Sequence, residues 1–153
     1  MEQARNDVII EELTRAYWLE LEATLNYLAI SVDLDGIRAE EIKKSLAADI
    51  QTEITHAQEL AARIKEIGGQ VPGSFGFKPE QASLQPPDDS TDLIGVIHGV
   101  IEAENSAIDQ YNKIIRLCDG IDYVTQDLCI KLLADEETHR REFRGFLKEF
   151  EKD

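Results

Sequence analysis

Two of the three histidines in this chain stand three residues after a glutamate: Glu53 with His56 in "TEITHAQEL", and Glu136 with His139 in "ADEETHRREF". On a helix that step leaves two side chains about 60° apart and one turn apart, so both can reach a common volume. A carboxylate oxygen and an imidazole nitrogen delivered together are metal-ligand chemistry. A single Glu-x-x-His reads most simply as a solvated pair on a helix surface. Two copies, each among apolar neighbours, ask for another explanation.

The neighbours say which way these side chains point. Glu136 has Leu132 and Leu133 one turn before it, with Cys129 and Phe143 two turns away on either side, and Glu53 has Leu46, Ile50, Ala57 and Leu60 in the matching places. Both glutamates are expected to face a core, whereas Glu137, beside Arg140 and Arg141, reads as solvated. A buried carboxylate without a partner takes up a proton or destabilises the fold, so further partners are to be sought. Glu104 lies among Val100, Ile101, Ala107 and Ile108 with no basic residue within a turn; Glu102 belongs to a more polar face. Near the N-terminus both Glu20 and Glu22 have apolar neighbours. Glu20 is chosen because it precedes Glu53 by 33 residues, close to the 32 that separate Glu104 from Glu136. Four carboxylates and two imidazoles are an oxygen-rich set, suited to two ions such as iron or manganese rather than to structural zinc.

These residues need elements to position them. All four prolines fall between Gly68 and Ser90, and outside that stretch apolar residues recur at steps of three and four, the pattern of amphipathic helices. Four helices are expected: Glu2 to Asp33, with Gly36 as a C-cap; Ala39 to Ile67, stopped by Gly68 and Gly69; from near Thr91, behind the "DDST" capping cluster, to Cys118; and Tyr123 to Phe150. Short connections make two antiparallel hairpins. The connection over about 68–90 is too long for a turn and long enough to run the length of a bundle. The fold class is therefore all-α: a four-helix bundle of two antiparallel helical hairpins joined by a long crossover loop, one domain over 1–153, with every chosen glutamate and histidine near mid-helix.

A net charge of −15 argues against nucleic acid or an anionic membrane as partner and for cations. The N-terminus lacks a basic, then apolar, leader, no apolar run approaches membrane-spanning length, and Cys118 and Cys129 read as small buried core residues of a reducing compartment. A cytoplasmic protein is expected.

The segments "LELEATLNYLAIS", "QTEITHAQELAARIKEIGG", "GVIEAENSAIDQYNKII" and "LADEETHRREF" resemble the four helices of the ferritin-like superfamily, closest to bacterioferritin and to Dps-like proteins with a bacterioferritin-type centre within one subunit. The resemblance covers almost the whole chain. It implies that Glu20 and His56 serve one iron, that Glu104 and His139 serve the other, and that Glu53 and Glu136 bridge them. Tyr27 matches the tyrosine that accompanies the first-helix glutamate in ferritins; by residue type alone, Tyr27 and Tyr111 read as core aromatics. The implied activity is ferroxidation of Fe2+ by O2 or H2O2 with iron storage and protection from oxidative stress, in a homo-oligomer.

Three departures narrow that expectation. Ile54 stands where bacterioferritins place the haem-ligating methionine, so no haem is expected. Only 14 residues follow His139, too few for the fifth helix of 24-subunit shells, which favours a Dps-like shell such as a dodecamer. Asn105 and Ser106 stand where thiol-containing Dps-like proteins carry a cysteine. The rival readings are a rubrerythrin-like peroxidase or manganese catalase, which removes peroxide without storing mineral, and a metal-free helical interaction module. No four-cysteine rubredoxin module is present, and Ile101 stands where the former would have a further glutamate. His98 is expected on the surface, and Trp18 in packing or at an interface.

Overall fold

A computed structural model of the chain describes residues 1–151; Lys152 and Asp153, the end of the expected 1–153 domain, lie outside the described residues. It is built from four long helices, α1 (Glu2–Asp33), α2 (Glu40–Glu66), α3 (Leu93–Cys118) and α4 (Tyr123–Phe150), with short 3-10 turns at Ile37–Ala39 and Ser74–Gly76. α1 packs along α2 and α3 along α4; the hairpins meet mainly through α1 and α3, while α2 and α4 approach less closely. This is the expected bundle.

The helix ends follow from local chemistry. Asp92, just behind the "DDST" cluster, caps α3 by accepting from the Gly95 amide at 3.0 Å, and Asp122 caps α4 through the Thr125 amide. α2 ends in a Schellman motif: the Gly69 amide donates to the Ile64 carbonyl and the Gly68 amide to that of Lys65, with Gly68 at φ 93°. Gly36 does not cap α1 as expected. Leu34, buried in the core, is the C-cap and leaves the helix extended, and Gly36, at φ 106°, turns the chain two residues later into the 3-10 turn.

The crossover runs the length of α1. Asn6 donates to the Ile67 carbonyl, Tyr17 to that of Pro72, and Gln81 to that of Leu19, and the Asp35 amide donates to the Ser90 carbonyl. The loop also crosses α3 so closely that a Cβ at Gly99 would stand 2.4 Å from the Ser83 carbonyl oxygen. Backbone cannot yield as a side-chain tip can. Gly99→Ala is expected to lower stability by about 1 to 3 kcal/mol, read as a lower Tm, while metal stoichiometry stays that of the wild type.

Two apolar clusters fill the interior. One gathers Tyr27, Ile30, Leu34, Leu46, Ile97, Val100 and Phe143; the other gathers Ile9, Leu13, Leu60, Ile64, Tyr111, Ile114 and Leu132. The buried acids and histidines come from mid-helix, between residues of one cluster and residues of the other.

Candidate metal centre

Each helix contributes from its middle third: Glu20 from α1, Glu53 and His56 from α2, Glu104 from α3, and Glu136 and His139 from α4, all buried. Their ligand atoms form two groups, Glu20, Glu53, His56 and Glu136, and Glu53, Glu104, Glu136 and His139; within each group the atoms lie within 4.8 Å of one another. The structure thus brings together all six residues singled out in the sequence, and Glu53 and Glu136 belong to both groups. Glu102, Glu137 and His98 are exposed, and Trp18 packs on Phe77 of the crossover with ring centroids 5.4 Å apart.

Glu20 and Glu22 differ in what each carboxylate touches. Glu22 is also buried, but its two oxygens accept from the backbone amides of Glu80 and Gln81, at 2.8 and 3.0 Å. It pins the crossover to α1 and takes no part in the centre.

The tyrosines do more than fill the core. The Tyr111 hydroxyl donates to Glu20 Oε1 and the Tyr27 hydroxyl to Glu104 Oε1, each at 2.6 Å, so each bond joins one hairpin to the other. Tyr27 therefore accompanies the α3 glutamate rather than the α1 glutamate. One oxygen of each terminal carboxylate is held in this way. The other, Oε2 of Glu20 and of Glu104, is buried with no partner, as are Glu53 Oε1 and His139 Nδ1.

Such orphaned atoms are costly unless something binds them. His139 Nδ1 stands 3.4 Å from Glu53 Oε1, 3.7 Å from Glu136 Oε2 and 3.8 Å from Glu104 Oε1. Those distances are too long for N–H···O hydrogen bonds. They are near the separation of donors that share an ion, since two ligands about 2.1 Å from one metal at right angles stand about 3 Å apart. The donor set, its shared carboxylates and its orphaned atoms fit two divalent ions.

Electrostatics points the same way. Burial, then the charge of Glu136, pushes the Glu20 carboxyl up; burial and the facing carboxylates push Glu53 and Glu104 well above the usual range. Burial would also raise Glu136, but the neighbouring Glu104 and His139 and the hydrogen bond from His56 at 2.9 Å outweigh it and hold this carboxyl below its ordinary value. Burial alone would lower His56, yet Glu136 at 2.9 Å and Glu20 at 3.3 Å push it up to about 11. In the metal-free protein a proton on His56 Nδ1 thus stands where a cation would.

Two acids that the sequence reading passed over also face the histidines. His56 Nε2 meets Asp135 Oδ2 at 2.8 Å, and His139 Nε2 lies 3.5 Å from Asp49 Oδ1. Asp49 could have been found by the test applied to the glutamates, since it sits one turn before Glu53 with Leu46 beside it. Asp135, half-buried next to Glu136, offered no such signal.

Residues 10–152 match the family described as "Ferritin-like domain". The DNA protection during starvation protein of Pyrococcus furiosus is 26% identical over 91% of this chain and 76% of its own length. The bacterioferritin of Desulfovibrio desulfuricans is 26% identical over 88% of this chain and 72% of its own. Among solved structures, a dodecameric thioferritin of Bacteroides fragilis, described as bacterioferritin-related, superposes with a TM-score of 0.82 at 23% identity, covering 95% of this chain and 87% of that one. At that identity the likeness speaks for the fold. Among the described residues no helix is long and apolar enough to cross a membrane.

Proposed function

Because the chain belongs to the ferritin-like domain family, we propose that it is a ferroxidase that stores iron, oxidising Fe2+ with O2 or H2O2 at a dinuclear centre within one subunit and so limiting oxidative stress. The observation that carries this reading is the pair of donor groups sharing Glu53 and Glu136. Glu20 and His56 hold one Fe2+, Glu104 and His139 hold the other, and Glu53 and Glu136 bridge them. The relatives named bacterioferritin and DNA protection during starvation protein support the same reading.

Here Fe2+ is the substrate, with Mn2+ able to occupy the same ligands. Two ferrous ions give up one electron each. The pair reduces O2 with two protons to H2O2, or H2O2 with two protons to two waters, without releasing a one-electron radical. The protein's part is to place the substrates side by side. Carboxylates balance the growing positive charge, Tyr27 and Tyr111 hold the carboxylates of Glu104 and Glu20, and the apolar clusters keep bulk water out. No haem is assigned, because position 54 offers isoleucine, half-buried on α2.

Storage needs an enclosed volume, and the proposed assembly is a closed homo-oligomer, with the dodecamer of the bacterioferritin-related thioferritin as its pattern. Between Tyr17 and Val32 the only charged residues of α1 are Glu20 and Glu22, both buried. Between Ser45 and Gln58 of α2, Asp49, Glu53 and His56 are buried as well. On a chain of net charge −15, these uncharged surfaces are where like-charged copies meet at least cost. Nucleic acid and membrane are not proposed as partners, and a cytoplasmic location suits a reaction that draws on free Fe2+.

Binding must displace protons, and this sets the pH dependence. Glu20, Glu53 and Glu104 are raised, His139 is raised by Glu136 and Asp49 against the effect of burial, and His56 lies near 11. The metal-bound state holds fewer protons than the metal-free one, so affinity strengthens as pH rises through this window and weakens toward acid. Titrating Zn2+ into weakly buffered protein is expected to acidify the solution, with affinity falling between about pH 7.5 and about pH 5.5. Binding without proton release would contradict the ligand assignment.

Light scattering with iron analysis after aerobic loading tests the function as a whole. A closed oligomer that takes up far more than about two irons per chain, the capacity of a dinuclear site, supports storage. A stable monomer or dimer that stops at that number favours a rubrerythrin-like or manganese-catalase-like peroxide-removing enzyme. A chain that binds no metal leaves a helical interaction module.

A further inference from the structure

The two hairpins repeat one another closely at the centre. Glu20 and Tyr27 recur 84 residues later as Glu104 and Tyr111, and Glu53 and His56 recur 83 residues later as Glu136 and His139. The repeat fails on the outer side of the histidines. Asp135 of α4 has Thr52 as its counterpart in α2, and Asp49 of α2 has Leu132 as its counterpart in α4. The two imidazoles therefore turn their inner nitrogens to equivalent carboxylates and their outer nitrogens to different surroundings.

The difference is one of hydrogen bonding. His56 Nε2 donates to Asp135 Oδ2 at 2.8 Å. His139 Nε2 is 3.5 Å from Asp49 Oδ1, an ion-pair contact much longer than the His56 bond, and the other Asp49 oxygen is buried without a partner. A carboxylate that accepts the outer N–H of a ligating imidazole fixes its tautomer, holds the ring plane and makes the inner nitrogen a stronger donor. His56 has such a carboxylate in a short hydrogen bond, whereas His139 has one only at the longer distance.

We infer that Asp135 is a positioning residue for His56, and that it makes the two metal positions unequal: the one between Glu20 and His56 is the tighter, the one between Glu104 and His139 the weaker. This inference rests on the dinuclear reading above. Asp135 directs the Nε2 proton outward, leaving the Nδ1 lone pair free for an ion once its own proton has been displaced. His139 has only the longer Asp49 contact at 3.5 Å, which orients the ring more loosely, so its ion is held with more freedom and leaves first. The asymmetry gives the centre an order of filling and release: the Glu20 and His56 position fills first, and the Glu104 and His139 position fills last and empties first.

Co2+, which is not oxidised under anaerobic conditions, is the probe, and the protein is the full chain in its native assembly. Calorimetry and the visible absorption of bound Co2+ are expected to resolve two ions per chain in two steps of different affinity. Asp135→Ala is expected to weaken the tighter step 10- to 100-fold, drawing the two steps together and altering the spectrum of the first ion. Asp135→Glu, which keeps the acceptor, is expected to restore the separation. Asp135 is half-exposed, so these changes leave the fold intact. Two equal steps in the wild type, an unchanged first step in Asp135→Ala, or equal weakening of both steps would each overturn the inference while leaving the dinuclear centre standing. A wild type that binds no Co2+ in simple ratio removes the centre itself.

Discussion

Replacing Glu53 or Glu136 by alanine is expected to leave a folded bundle that no longer oxidises Fe2+ rapidly. Each carboxylate belongs to both donor groups, so a single change removes a ligand from both ions, and the shared oxygens that keep two electrons available together are lost. Removing even an outer partner of a ligand costs 10- to 100-fold in affinity or activity, as a rule; losing a shared ligand is expected to exceed that, with initial rates down by more than about 100-fold. The helical fold survives because the two apolar clusters carry it, and at Glu53 the metal-free core holds an acid at a cost rather than a gain. Burial and the facing carboxylates push Glu53 well above the usual range, and exchanging such a group for an apolar one is often neutral or stabilising. Stopped-flow oxidation, with circular dichroism and Tm of the metal-free variants, checks both parts. A second signature accompanies them: divalent metal is expected to raise the wild-type Tm by binding only the folded state, and to leave both variants nearly unmoved. Wild-type oxidation rates in both variants would show the centre to be misassigned.

The second large effect concerns assembly. Leu25, Leu28 and Val32 of α1 are 57%, 52% and 75% exposed and follow one another at steps of three and four, in line with half-buried Leu21 and Trp18. That spacing makes an apolar seam along one side of a helix, here on a surface without charge. Burying one leucine in such a contact contributes about 1.5 to 3 kcal/mol, and a two-fold contact counts each side chain twice. The double variant Leu25→Glu, Leu28→Glu loses that burial and adds like charges on both sides. It is expected to run as a small species by light scattering while keeping its helical content. Anaerobic Co2+ binding should persist, since all six proposed ligands come from one chain. Iron uptake should fall toward the capacity of the dinuclear site, because no enclosed volume remains. If the variant keeps the wild-type mass, the seam is not an interface.

The contrast between these two variants also separates the chemistry from the container. Loss of oxidation with assembly intact belongs to Glu53 and Glu136; loss of storage with metal binding intact belongs to the α1 surface. A peroxide-removing enzyme without storage would be indifferent to the second change.

Most of the fold, and the membership of the central cluster, could be read from the sequence because both rest on local periodicity. A glutamate flanked at steps of three and four by Leu, Ile and Val must face the same way as they do, and Glu53, Glu104 and Glu136 declare themselves on that ground alone. The proline-bearing stretch marks the crossover for an equally local reason, since proline removes a donor that a helix interior needs. Tertiary structure decided what periodicity along one helix does not contain. Glu20 and Glu22 both have apolar neighbours because α1 is covered on two sides, by the bundle core and by the crossover, and two residues at about 100° each lie on opposite sides. Only the path of the crossover shows that Glu22 holds the Glu80 and Gln81 amides while Glu20 faces the centre. The exchange of partners between Tyr27 and Glu104, and between Tyr111 and Glu20, and the unequal acids behind His56 and His139, depend on how far each helix is rotated and slid against the others. Those quantities are set by the packing of all four helices at once, and no single helix carries them.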